Sequence, residues 1–151
     1  MSLGMTAFEI VPGVTPSELA DTSALARVRH HPGVSSALLA RLKRGQIAHC
    51  DVTRLEMGMT ARNVEEHRQL GELLDAMPQV SVTADDFRRA WDVQGLLTGR
   101  GLHRGVAVPD LLVAACAERL GLEVVHCDAD FDLIAEVTGQ PVRWAVDRDL
   151  L

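Results

Sequence analysis

No stretch of about 18 uncharged apolar residues occurs anywhere in the chain, so nothing is expected to span a membrane. Nor does the N-terminus carry a charged stretch followed by an apolar one, so no secretion signal is expected. Cysteine is scarce. Cys50, Cys116 and Cys127 are odd in number and match no zinc spacing. They read as small buried residues in a reducing cytoplasm. Tyrosine is absent, and Lys43 is the single lysine among 15 basic residues. This bias suits a GC-rich genome and says little about function. An excess of positive charge is also missing: the formal net charge is −6. Broad electrostatic binding of nucleic acid is therefore not indicated. RNA remains accessible to such a chain through bridging metal ions and a few local arginines.

What is present suits one domain. The chain has 151 residues, 47% of them hydrophobic and 24% charged, enough for a buried core. Residues 1–16, with Pro12, Gly13 and Pro16, read as a loose lead-in, with 1–4 set aside as a tag remnant. Residues 17–151 read as the domain itself. Short apolar runs predict strands over 18–20, 46–52, 79–83, 123–127 and 141–145, the last an edge strand on account of Pro141. Helical spacing predicts helices over 22–30, 34–43, 53–60, 64–77, 84–97, 109–120 and 129–137, with a glycine-rich loop over 98–105. Alternating strands and helices imply an α/β fold: a central, mostly parallel sheet of four to five strands between two helical layers. Ligands of such sheets sit beyond the carboxyl ends of the strands.

Four acids are expected at that edge. Asp21 follows the first strand and Asp128 the fourth. Glu56 lies about one helical turn beyond the second, and Asp110 opens the helix leading into the fourth. Each also has a structural use. An aspartate at a helix start is a common N-cap, Asp110 suits the positive end of its helix, and Glu56 can be a solvated helix residue. Gathered together, four carboxylates repel one another, and ionising all of them is costly without a cation among them. All-oxygen ligation suits Mg²⁺ or Mn²⁺. One or two such ions suit hydrolysis of a phosphodiester without a protein nucleophile.

The residues so assembled resemble the PIN-domain family, and in particular its VapC toxin branch, over residues 18–145. The most specific stretch is HRGVAVPDLLVAACAERLGLEVVHCDADFDLIAEVTGQPVRW at 103–144, with LADTSAL at 19–25 and TRLEMGM at 53–59. The resemblance implies an α/β/α PIN-like fold and a metal-dependent endoribonuclease. Asp21, Glu56, Asp110 and Asp128 match the family's acidic quartet, with Asp21, Asp110 and Asp128 as metal ligands. Asp130 would support them from behind, and Ser23 would line the pocket. Arg104 resembles an arginine that holds a phosphate, and it reads equally as a solvated loop residue. RNA is the implied substrate and Mg²⁺ or Mn²⁺ the cofactor.

Partners follow from the same resemblance. Such toxins pair with a VapB-type antitoxin, whose tail lies between the N-terminal helices, and they usually form homodimers. Val34, Leu38, Leu39 and Leu42 are candidates for that groove, with ordinary core packing as the favoured reading. Two features depart from the family pattern. The stretch before Asp21 is poor in apolar residues, and His126 stands where many relatives place a small hydroxyl residue. His126 is expected to be packed or hydrogen-bonded, not a metal ligand, and Phe131 and Ile134 are expected to face the core. The alternatives are a non-catalytic PIN-fold binding module, or a metal-dependent phosphatase or DNase using the same acids.

Overall fold

A computed structural model of the chain describes residues 15–30 and 36–147. Most of the expected lead-in, residues 1–14, and Val34 lie outside the described residues. Among the described residues there are five strands: β1 (Glu18–Ala20), β2 (Ile47–Cys50), β3 (Gln79–Val80), β4 (Glu123–His126) and β5 (Val142–Trp144). The helices among the described residues are α1 (Thr22–His30), α2 (Ser36–Lys43), α3 (Asp51–Met59), α4 (Val64–Asp75), α5 (Ala84–Thr98), α6 (Val108–Leu120) and α7 (Asp130–Thr138). The strands make one sheet in the order β3-β2-β1-β4-β5, and every pairing is parallel. β1 sits at the centre, with Leu19 opposite Ala48 on one side and Val124 on the other.

The period-two alternation of a strand divides the core in two. Leu19, Ala48, Cys50 and Val124 pack with α5, α6 and α7, where Phe131 and Ile134 are completely buried. Ala20, Ile47 and Val125 pack with α1 to α4, joined by Leu38 and Leu42. The sheet is thus covered on both faces, as continuous apolar parallel strands require. Leu38 and Leu42 are core residues, and Leu39 packs half-buried against them. Cys50, Cys116 and Cys127 are all free thiols, the first two buried and Cys127 half-buried.

The polar first strand has a physical explanation. Glu18 is 2% exposed in the middle of the sheet. Its two oxygens meet Arg41 of α2 at 2.8 Å and Arg143 of β5 at 3.1 Å. A buried carboxylate is tolerated when paired in this way, so a charged residue can stand in a strand at the centre of the sheet. Four of the five expected strands are shorter than read, β2 and β3 by the most. Asp51 begins α3, and its Oδ1 accepts the N–H groups of Val52 and of Val82 (3.0 Å for the latter). Taking the Val82 N–H away from a ladder ends β3 at Val80. The expected loop over 98–105 is partly ordered as helix. Thr98 closes α5 by donating its hydroxyl to the Gln94 carbonyl, and Gly101 turns the chain at φ +70°. A single 3₁₀ turn, His103–Gly105, follows. Gly101 adopts a left-handed conformation that costs other residues about 1 kcal/mol or more.

α5 and α6 are joined by an ion pair whose acid is buried and whose arginine is partly exposed. Thr83 and Asp86 form a reciprocal capping box at the start of α5. The same Asp86 carboxylate receives Arg119 of α6 at 2.9 Å. This lock fixes the helix whose first turn carries Asp110.

Candidate active site

All five strands run the same way, so their carboxyl ends share one edge. α6 runs back towards the start of β4, which places its N-terminus, with Asp110, at that edge beside Asp128. Asp21, directly after β1, is 3% exposed. Its main chain is fixed by its N–H to Val125 carbonyl bond at 2.9 Å and by the start of α1. Its Oδ2 accepts from Ser23 twice, from the backbone N–H at 3.0 Å and from the hydroxyl at 2.6 Å. That is the N-cap use of aspartate. Its Oδ1 is different: it is buried and has no hydrogen-bond partner. A buried carboxylate oxygen without a partner is costly, and burial, with a smaller contribution from Asp128, raises the pKa of Asp21.

Three further carboxylates meet nearby. Asp110, Asp128 and Asp130 each bring an oxygen to a group in which all the oxygens lie within 4.8 Å of one another. Asp110, 6% exposed in the first turn of α6, has its pKa pushed up to about 9. Burial is the first cause, followed by its hydrogen bond with Asp130 and the charges of Asp21, Asp128 and Asp130. The loop into α7 is held by side chains. Asp128 Oδ1 accepts the Asp130 N–H at 2.9 Å, Asp130 Oδ2 accepts the Ala107 N–H at 3.2 Å, and Ser23 Oγ accepts the Cys127 N–H at 2.9 Å. Ser23 thereby ties Asp21 to the loop that carries Asp128.

Glu56 stands at the side of this group. It is half-buried on α3, and its Oε1 accepts the Thr22 hydroxyl at 3.0 Å. Burial raises its pKa, with the nearby charge of Asp21 adding to the effect. Thr22 carries no sequence signal of its own beyond its place between Asp21 and Ser23. Arg104 is exposed in the 3₁₀ turn, three residues before the Ala107 whose N–H reaches Asp130. Arg100, in the same stretch, pairs with Glu136 of α7 at 3.2 Å. His126 is completely buried, and its Nδ1 accepts the Asp128 N–H at 3.2 Å.

The donor set fits a hard divalent cation. All candidate ligands are carboxylate oxygens, the choice of Mg²⁺ or Mn²⁺. An orphaned buried oxygen on Asp21 and a carboxyl pushed to about 9 on Asp110 are what such a group shows when its positive charge is taken away. Asp130, expected to stand behind the ligands, lies within the tight group. Asp21 is linked to that group through its charge on Asp110 and Asp128.

Comparison with known proteins agrees with this geometry. The profile of the PIN domain matches residues 19–137. Ribonuclease VapC21 of Mycobacterium tuberculosis is 44% identical over 134 residues, covering 88% of this chain and 96% of the relative. Ribonuclease VapC51 of the same organism is 45% identical over 128 residues, covering 85% and 92%. Among solved structures, DNA-bound VapBC from Salmonella typhimurium superposes with a TM-score of 0.70 at 14% identity, over 87% of this chain and all of that one. A toxin-antitoxin complex from Klebsiella pneumoniae gives 0.68 at 19% identity, over 87% and 99%. At those identities the structures speak for the fold alone. The profile match and the high-coverage relatives show that this chain belongs to the PIN-domain family, in its VapC branch.

Proposed function

We propose that the chain is a metal-dependent endoribonuclease toxin that hydrolyses RNA phosphodiesters and is held in check by a VapB-type antitoxin. The observation that carries this reading is the acid group itself: Asp110, Asp128 and Asp130 within 4.8 Å, beside a buried, unpartnered oxygen of Asp21. The curated relatives, named ribonucleases, support RNA as the substrate.

Asp21, Asp110 and Asp128, with Asp130 beside them, would hold one or two Mg²⁺ or Mn²⁺ ions. Such an ion favours ionisation of a water and offsets charge gathering on the phosphate. The protein's own residues do the rest. Asp21 divides its work: Oδ2 caps α1, and Oδ1, buried without a hydrogen-bond partner, is the oxygen left for an ion. Glu56, with its pKa raised by burial and its Oε1 steadied by Thr22, is placed to move the proton of the attacking water. Arg104 holds a phosphate of the strand from the adjoining turn.

The partner protein is supported by neighbours that are toxin-antitoxin complexes. We place the contact between two copies of the chain on α5, where Phe87 and Trp91 stand exposed four residues apart on one face. Among the described residues no helix is long and apolar enough to cross a membrane. We place the protein in the cytoplasm, where RNA and reduced thiols coexist.

The test is substrate comparison by the purified protein with Mn²⁺: single-stranded RNA, single-stranded DNA and a phosphomonoester. Internal cleavage confined to RNA is expected. Hydrolysis of the monoester or of DNA at equal rate would turn the assignment to a phosphatase or DNase.

A further inference from the structure

β4 ends at His126, two residues before Asp128. The imidazole is completely buried between two rings, Phe131 of α7 with centroids 5.1 Å apart and Trp144 of β5 at 4.9 Å. These contacts restrict how the imidazole can turn. Its Nδ1 accepts the Asp128 N–H at 3.2 Å. An accepting nitrogen carries no hydrogen, so the neutral ring keeps its hydrogen on Nε2. Nε2 is buried without a hydrogen-bond partner. It faces Asp132 Oδ1 at 3.7 Å, beyond direct hydrogen bonding. Asp132 is fixed in turn by the Trp144 indole N–H, which donates to both its oxygens at 3.2 and 3.0 Å.

An unsatisfied buried nitrogen is costly, and an apolar residue at this place would avoid that cost. The return for it is the bond at the other nitrogen. The N–H groups of Cys127, Asp128 and Asp130 are taken respectively by the side chains of Ser23, His126 and Asp128. Of these bonds, the one accepted by His126 acts directly on the amide of Asp128. We propose that His126 is a positioning residue for the metal site. Its Nδ1 fixes the main chain at Asp128, and with it the point where that carboxylate meets Asp110 and Asp130. The inference rests on the metal reading given above. Partners that orient metal ligands in this way typically matter by about 10- to 100-fold in metal affinity.

The experiment is titration of Mn²⁺ into the wild type, His126→Phe, His126→Asn and Asp110→Asn, followed by calorimetry, with circular dichroism as the check on folding. Phenylalanine keeps the ring stack and removes the acceptor. Asparagine keeps an acceptor on Cγ, where Nδ1 is attached. His126→Phe should bind Mn²⁺ about 10- to 100-fold more weakly, and His126→Asn should recover most of the loss. In RNA cleavage, kcat should fall with KM little changed. If His126→Phe does not fold, His126→Leu, nearly isosteric with asparagine, takes its place in the comparison. Wild-type affinity in the variant without the acceptor, or equal weakness with and without it, overturns the inference alone. A wild type that takes up no Mn²⁺ overturns the metal reading and this inference together.

Discussion

Replacing Asp110 by asparagine should stabilise the metal-free protein. The carboxyl of Asp110 is pushed from an ordinary 3.8 to about 9 by burial and by its acidic neighbours. A carboxyl raised in the folded state stays protonated there while the unfolded chain ionises. Its contribution to stability is therefore complete below about pH 4 and is lost progressively as the pH rises towards 9. At pH 7 the unfolded chain has gained about three pH units of advantage, and at 1.36 kcal/mol per unit the ceiling is about 4 kcal/mol. Asparagine has the shape of the protonated acid, can still donate to Asp130, and has no proton to lose. Relaxation of the remaining carboxylates brings the expected gain to about 2–3 kcal/mol, a rise in Tm of about 4–12 °C for a chain of this size. The assay is thermal unfolding in EDTA from pH 4 to pH 8, with a second series in Mn²⁺. The gain should vanish near pH 4 and grow towards pH 8. Mn²⁺ should stabilise the wild type and leave the variant nearly unchanged. A variant less stable than wild type in EDTA at pH 7, or a gain that ignores pH, would refute the electrostatic account of the site.

His49 titrates in the opposite sense. Its ring is fully buried with both nitrogens unpartnered, and burial, then the Arg54 charge, pushes its pKa down to about 4. The unfolded chain takes up the proton first, so this stability is complete above about pH 6.5 and is lost as the pH falls towards 4, by up to about 3 kcal/mol. Urea unfolding of His49→Leu at pH 4.5 and pH 7 should show a smaller difference between the two pH values than the wild type; an equal difference would place the acid sensitivity elsewhere. Arg119→Ala leaves the buried Asp86 carboxylate without its cation and should cost about 3 kcal/mol in denaturant unfolding, whereas a loss under 1 kcal/mol would mean that Thr83 alone satisfies it. Trp91 is 74% exposed on α5, and Trp91→Glu should halve the mass seen by light scattering while circular dichroism shows the fold retained; an unchanged mass would move the contact between copies off this face.

Much of the fold could be read from the chain because the pattern and the physics agreed. The apolar runs of β2 and β4, the proline at the start of α6 and Gly121 at its end all point to the elements they form. Where reading failed, a side chain had intervened from a distance. Asp51 takes the Val82 N–H across 31 residues and shortens β3, an event no local pattern reports. β1 was read with its right bounds, but Glu18 makes it look weak because its partners Arg41 and Arg143 come from other elements. The candidate site was legible at the level of residue type and strand end, since parallel strands share a direction. Its grouping was not: that Asp130 joins Asp110 and Asp128, and that Thr22 supports Glu56, depends on side-chain directions. The role of His126 towards the Asp128 amide depends on the packing of Phe131 and Trp144, which come from two other elements.

The central claim is that these carboxylates cut RNA with a divalent metal. Its most direct test is incubation of total RNA with the wild type and with folded Asp110→Asn, each in Mg²⁺, in Mn²⁺ and in EDTA, with the fragment ends mapped. The account predicts discrete fragments from the wild type in metal, none in EDTA and none from the variant. Fragments that persist in EDTA, or that Asp110→Asn produces as well as the wild type, would contradict it.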